Sequence, residues 1–365
     1  MRIWNRCDDG GERFEFTFCF MITSTFLAGV AADLGSLSDA DKALMHAAGI
    51  RGLRSGRLHF DQVAFLASGP QPEKFWAIKE RMTGLRAEGF RFTALTPSPS
   101  EIVKEAGAPG SEEYFENYRR MCAFLATTFD GLVEYWQVAN EVDIWIFRAT
   151  LTLDQSVAFL KAGIRGVQST GTKAKVGINI TLFPSLPGEV DGNTELHEGV
   201  YIAKGVYHDP ELQLDYAGFD SYPGTWRKGG AESWDAYLDE FYALTKKPII
   251  IQEFGYSSAG GMMTPEEDAS GIYPCKAGKW RFSSGGRGHT PEAQATFIEE
   301  SFAVFARKPF VIGATYYRWN DQAVCWQCKQ PGCPIETAWG LLDLNRQPKP
   351  SYACYKTSMQ KHFGA

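Results

Sequence analysis

The chain has 365 residues, with 37 Lys and Arg against 43 Asp and Glu, a formal net charge of -6 and a sequence pI near 5.6. No block of Lys or Arg is long enough to follow a phosphate backbone, so nucleic acid is excluded as an expected partner. The length permits a sizeable core in a single domain over residues 1–365, and an aromatic content of 14% suits a surface that stacks on sugar rings as well as a packed interior.

From the N-terminus, the apolar stretch Phe14 to Ala32 imitates a secretory leader. The segment before it carries Asp8, Asp9 and Glu12, unlike a basic leader, and Thr and Ser interrupt it. It is also too short and too polar to span a bilayer, so no membrane partner is expected and the stretch is assigned to a strand near Phe16 to Ile22. Seven further strands are expected near Ile50–Ser55, Phe92–Thr96, Val133–Ala139, Lys175–Ile180, Leu214–Asp220, Pro248–Gln252 and Ile312–Tyr317. Helical patterns separate them, and an alternating series of eight strands and helices predicts an α/β fold, the (β/α)8 TIM barrel.

Three helices have clear signals. Phe75, Ile78, Met82 and Leu85 form one apolar stripe, and Tyr114, Tyr118, Met121, Cys122 and Leu125 form another. A helix from Leu153 to Thr170 opens on a capping box at Thr152 and Gln155, places Val157, Leu160, Ile164 and Val167 on one face, and stops at Gly171. Thr290 and Pro291 open a further helix through Ile298, Phe302 and Phe305.

Two connections, 254–289 and 320–338, are long for a compact barrel, where about two to six residues is usual. Both follow strands that end on the active-site face and both carry cysteines, so they are expected to form one wall of the cleft, tied to each other. Cys275 lies in the first; Cys325, Cys328 and Cys333 lie in the second, while Cys7, Cys19, Cys122 and Cys354 stand apart. A disulfide between Cys275 and one of the other three is the first expectation, which would place the protein in an extracellular or periplasmic compartment. A four-thiolate zinc site and free thiols, compatible with a cytoplasmic protein, are the alternatives. The six histidines show no metal-ligand spacing, so no catalytic metal and no cofactor are expected, and the chain is expected to be a monomer.

Chemistry concentrates in two carboxylates. Glu141 follows the run Val133–Ala139 and Asn140, and Glu253 follows Pro248–Gln252. A carboxylate at the mouth of a buried strand is costly unless it is paired, hydrogen-bonded or used, and two such placements point to acid–base work.

The segments Trp136-Gln137-Val138-Ala139-Asn140-Glu141 and Ile250-Ile251-Gln252-Glu253-Phe254-Gly255, the aromatic end Tyr316-Tyr317-Arg318-Trp319 and the closing Trp339-Gly340-Leu341-Leu342-Asp343 together resemble clan A of the glycoside hydrolases, in the style of families 5 and 39. Val142 stands where a Pro is frequent after the acid, and Asp220-Ser221-Tyr222 stands where many family 5 cellulases show a His two places before the Tyr. The resemblance implies a retaining double displacement, with Glu253 as nucleophile and Glu141 as acid/base, their carboxyl groups about 5–5.5 Å apart. It implies that Arg54 pairs with the nucleophile, that Tyr222 holds it through its hydroxyl, that Asn140 binds the sugar 2-hydroxyl and that Trp319 floors the subsite. Asn179 and Trp226 complete the candidate substrate contacts. The implied substrate is a β-linked poly- or oligosaccharide cleaved internally, as by a cellulase, mannanase or xylanase. Alternatives are an exo-acting β-glycosidase and a non-catalytic carbohydrate-binding barrel.

Overall fold

The computed structural model describes residues 26–56, 58–181 and 195–364. Its main sheet contains nine parallel strand segments. The first barrel strand is Leu27–Ala31, followed by Gly52–Ser55, Arg91–Leu95 and Val133–Gln137. The fifth position is interrupted into Lys175–Gly177 and Asn179–Ile180, and the sixth to eighth are Ala217–Ser221, Ile249–Phe254 and Val311–Tyr316. The first strand pairs with both the second and the last, and pairing continues round until the two halves of the fifth position meet across Ile178. The result is a nearly closed TIM-like α/β barrel, as the alternating pattern predicts.

The beginning of the chain requires a correction. The expected strand near Phe16 to Ile22 lies outside the described residues, and Leu27–Ala31 fills the first barrel position instead. Its backbone runs very close to the second strand: a Cβ added at Gly52 would lie 3.0 Å from the Gly29 Cα. Two facing glycines allow that approach, and a run chosen only for being apolar gives no such preference.

The helices follow their sequence signals. Thr152 and Gln155 close the capping box of Leu153–Gln168, whose Phe159, Leu160, Ile164 and Val167 are buried. This helix packs on Glu112–Thr128, stacking Phe159 on Tyr118 with ring centroids 3.7 Å apart. Gly166 makes the approach possible, since a Cβ there would sit 2.3 Å from the Arg119 carbonyl oxygen. Phe75, Ile78, Met82 and Leu85 are buried on Glu73–Ala87, and Thr290 caps Pro291–Phe305 by accepting from the Ala293 N–H. Each large apolar side chain buried this way contributes about 1.5–3 kcal/mol relative to exposure. No helix among the described residues is long and apolar enough to cross a membrane.

The two long connections are ordered against each other. Gly261–Met262 and Lys279–Trp280 form a small parallel ribbon, and short helices span Pro265–Ala269, Pro274–Ala277 and Pro334–Thr337. Trp280 is fully buried and donates its indole N–H to the Ala259 carbonyl at 2.9 Å. Trp280 and Trp339 meet edge to face, and both connections contribute to one apolar cluster with Tyr222.

Candidate active site

The turn after the fourth strand carries Ala139 and Glu141 at φ 60° and φ 44°, left-handed conformations that cost a non-glycine residue about 1–2 kcal/mol each. Neighbouring strands hold it in place. Ala139 N–H donates to Thr96 Oγ1, Asn140 N–H to Ser98 Oγ and Glu141 N–H to Asn179 Oδ1, all at 2.9 Å. The turn thereby delivers a buried carboxylate into the barrel mouth on a backbone fixed at three consecutive residues.

Arg54 organises the opposite side. Its Nε donates to Gln137 Oε1 at 2.9 Å, one terminal nitrogen donates to Asn140 Oδ1 at 2.7 Å, and the other forms an ion pair with Glu253 Oε1. The second Glu253 oxygen accepts from the Tyr222 hydroxyl. Burial disfavours the Arg54 cation, yet the carboxylates of Glu253 and Asp220 outweigh that cost and raise its pKa. Asn179 Nδ2 donates to Asp220 Oδ2 at 2.6 Å and reaches Asn140 Oδ1 at 3.3 Å, so strands two, four, five, six and seven all contribute to one polar network.

The acids differ in environment. Burial, first, and then the negative charges of Asp220, Glu253 and Asp143 hold the Glu141 pKa well above the ordinary carboxylate range, with the Thr181 hydroxyl acting in the opposite direction. Glu141 therefore retains a proton where an exposed Glu has lost it, while Glu253 is paired with a guanidinium. Such a pair, with environments that separate the two roles, is the pattern of an acid/base and a nucleophile. Asp220 is likewise raised, by burial and then by Glu253.

Glu141, Asp220 and Glu253 each place a carboxylate oxygen within 4.8 Å of the other two. The nearest oxygens of Glu141 and Glu253 thus approach more closely than the roughly 5–5.5 Å expected from sequence.

Seven of the eight residues singled out from sequence fall into two neighbouring groups. Arg54, Asn140, Glu141, Asn179, Tyr222 and Glu253 form the polar network. Trp226 sits in the loop cluster, edge to face with Trp280 at 5.1 Å between centroids. Trp319 is different. It is 1% exposed, and its indole N–H donates to Asp41 Oδ1 at 2.9 Å inside the core, leaving almost no face for a ligand. Tyr317, two residues earlier, is the half-buried aromatic beside the acids; its ring packs edge to face on Tyr222 with centroids 6.0 Å apart. The strand ends at Tyr316; regular alternation would put Tyr317 and Trp319 on one face, so their different facing belongs to the irregular backbone beyond the strand, which their identities alone do not reveal.

Sequence reasoning missed Gln137, Asp220, Tyr317 and Glu336. Asp220 and Gln137 lay within quoted motifs, and their placement at the ends of the sixth and fourth strands was the available signal. Glu336 had none: it lies in a cysteine loop, is buried, and has a pKa raised to about 8 by that burial, with hydrogen bonds from Gln327 and Trp326 opposing and the Glu253 charge adding to the rise.

A second cluster capable of holding a metal lies in the loops. The sulfurs of Cys275, Cys325, Cys328 and Cys333 all fall within 4.8 Å of one another. The described cysteines are free thiols, so the expected Cys275 disulfide is not formed; Cys7 and Cys19 lie outside the described residues.

No family model and no curated protein matches the chain. Solved structures do. It is similar to a GH2 β-galacturonidase from Eisenbergiella tayi bound to galacturonate, with a TM-score of 0.56 and 15% identity over 92% of this chain and 51% of that one. It is also similar to the Ruminococcus gnavus β-glucuronidase, with a TM-score of 0.57 and 15% identity over 92% of this chain and 50% of that one. A third is Bacteroides uniformis β-glucuronidase 2 covalently bound to cyclophellitol-6-carboxylate aziridine, at a TM-score of 0.58 and 16% identity over 92% of this chain and 35% of that one. The chain thus spans about half or less of the length of these structures. None of the three is named for family 5 or 39, and what this chain shares with them at such identity is the barrel fold.

Proposed function

We propose that this protein is a retaining β-glycosidase that releases a terminal sugar. The observation that carries the reading is the close approach of a buried, proton-retaining Glu141 to a Glu253 paired with Arg54 and Tyr222. In the first step a Glu253 oxygen attacks the anomeric carbon as Glu141 gives its proton to the departing glycosidic oxygen. In the second, Glu141, now a carboxylate, takes a proton from water, whose oxygen displaces Glu253 and restores both side chains. Asn140, held by Arg54 and Gln137, is placed to bind the sugar hydroxyl next to the reacting carbon.

The exo reading is preferred to internal cleavage of a polymer. Its support is that the similar solved structures are named for β-glucuronidase or β-galacturonidase activity, and that the two ordered loops pack against Tyr222 and Tyr317, beside Glu253. A covalent adduct in one of them agrees with a covalent intermediate on the same fold.

The test uses aryl β-glycosides, uronides among them, with Glu253→Ala and Glu141→Ala. Glu253→Ala should lose turnover and regain it with azide, giving an inverted glycosyl azide. Glu141→Ala should keep activity on substrates with good leaving groups. Identical behaviour of the two variants would refute the assignment of roles. Sugar binding by the wild type without turnover of any glycoside would favour a carbohydrate-binding barrel.

A further inference from the structure

The four loop cysteines have a geometry that a disulfide does not explain. Cys275 and Cys325 place their sulfurs 3.7 Å apart, and all four sulfurs lie within 4.8 Å of one another. A disulfide needs an S–S distance of about 2.05 Å and engages only two thiols. A tetrahedral zinc with Zn–S bonds of about 2.3 Å has S···S edges of about 3.8 Å and engages four.

The backbone around the cluster is shaped accordingly. Cys325 and Cys328 enclose a two-residue turn in which Lys329 N–H donates to the Cys325 carbonyl at 2.9 Å and Cys325 N–H donates to the Gln330 carbonyl at 3.1 Å. Lys329 is left-handed at φ 59°, and an antiparallel bridge between Val324 and Pro331 closes the hairpin. The reversal turns the Gln330 N–H toward the Cys328 sulfur, and the Ile335 N–H reaches the Cys333 sulfur in the same way. Cys325 and Cys333 are buried, while Cys275 and Cys328 are partly exposed, open enough for an ion to enter.

We propose that Cys275, Cys325, Cys328 and Cys333 bind one structural zinc ion that fastens the loop after the seventh strand to the loop after the eighth. Binding exchanges four thiol protons for one divalent ion, leaving a dianionic cluster with no open coordination position and hence no part in hydrolysis. Its role is positional. The cysteines share an apolar cluster with Tyr222, Trp280, Ile335 and Trp339, and Tyr222 is the residue that holds Glu253. Gln327, inside the two-residue turn, donates to Glu336 at 2.6 Å, so the metal-bound turn also holds a buried carboxyl beside the cleft.

The site is tested without reference to hydrolysis, so its failure and that of the glycosidase reading are distinguishable. The purified full chain should contain one zinc per molecule by elemental analysis and native mass spectrometry, with the four cysteines slow to alkylate until a chelator or a mercurial removes the metal. Growth on cobalt should give sulfur-to-cobalt charge-transfer bands and tetrahedral d–d bands. Cys328→Ser should lower the zinc content at least tenfold, whereas Cys354→Ser, on the last helix, should leave it unchanged. Because a cysteine variant can misfold, the wild-type metal content and cobalt spectrum decide independently. A Cys275-linked peptide in a non-reduced digest, or four freely alkylated thiols without metal, would overturn the proposal.

Discussion

Arg54, at the end of the second strand, and Glu253, at the end of the seventh, are 199 positions apart in sequence and form an ion pair across the barrel mouth. The guanidinium also holds Gln137 and Asn140, so one side chain fixes Glu253, a candidate substrate contact and the fourth strand together.

Replacing Arg54 by Ala should therefore cost stability as well as turnover. Breaking a buried pair by removing one partner leaves an uncompensated charge, at about 3–5 kcal/mol. The denaturation midpoint should fall accordingly, and activity should fall at least about a hundredfold, as expected when a group that orders the reacting carboxylate is lost. Arg54→Lys should recover the charge without the three-way fork and regain only part of either. An Ala variant with wild-type stability would contradict the buried pairing.

The pH profile should have a basic limb governed by Glu141, because the free enzyme must carry its proton. After burial, the largest cause of its elevation is Asp220. Asp220→Asn should move the basic limb of kcat/KM to lower pH, and an unmoved limb would assign it to another group.

Stability should respond to the same carboxyl. An unfolded Glu ionises near about 4.3, whereas the folded Glu141 keeps its proton to a higher pH. Between those two values the folded chain binds the extra proton, so its stability contribution is present at low pH and is lost as pH rises through the folded pKa. Glu141→Gln should gain stability relative to the wild type across that window and level off above it. A constant difference between the two chains at all pH values would count against the elevated pKa.

The aromatics can be separated by the kinetic parameter they change. Trp319→Phe removes a hydrogen bond to the buried Asp41 and should destabilise the fold by about 1–3 kcal/mol with KM little altered. Tyr317→Ala should raise KM for the glycoside. The opposite pattern would return the subsite role to Trp319.

Gly166→Ala serves as a packing control remote from the chemistry. Its new methyl would meet the Arg119 carbonyl, so the two helices must move apart at a cost of about 1–3 kcal/mol. Calorimetry should show a lower midpoint with the pH profile of kcat/KM unshifted.

The sequence alone determined the features that depend on local periodicity and chain order. Apolar runs, capping residues and stripes at helical spacing identified seven strand positions and the main helices, because each is encoded within a few neighbouring residues. The ends of those strands marked Glu141 and Glu253, since a carboxylate after a buried run is conspicuous wherever it occurs. The tertiary structure decided what depends on facing and on closure. It placed Leu27–Ala31 as the first strand, since the close approach of Gly29 to Gly52 is a property of two strands together. It turned Tyr317 toward Tyr222 and Trp319 into the core, raised Glu141 through burial and the charge of Asp220, and gathered four cysteines from two loops into one cluster. Each of these arises when strands distant in the chain converge at one end of a barrel, where the dielectric, the partners and the distances are set by neighbours that no local stretch of sequence contains.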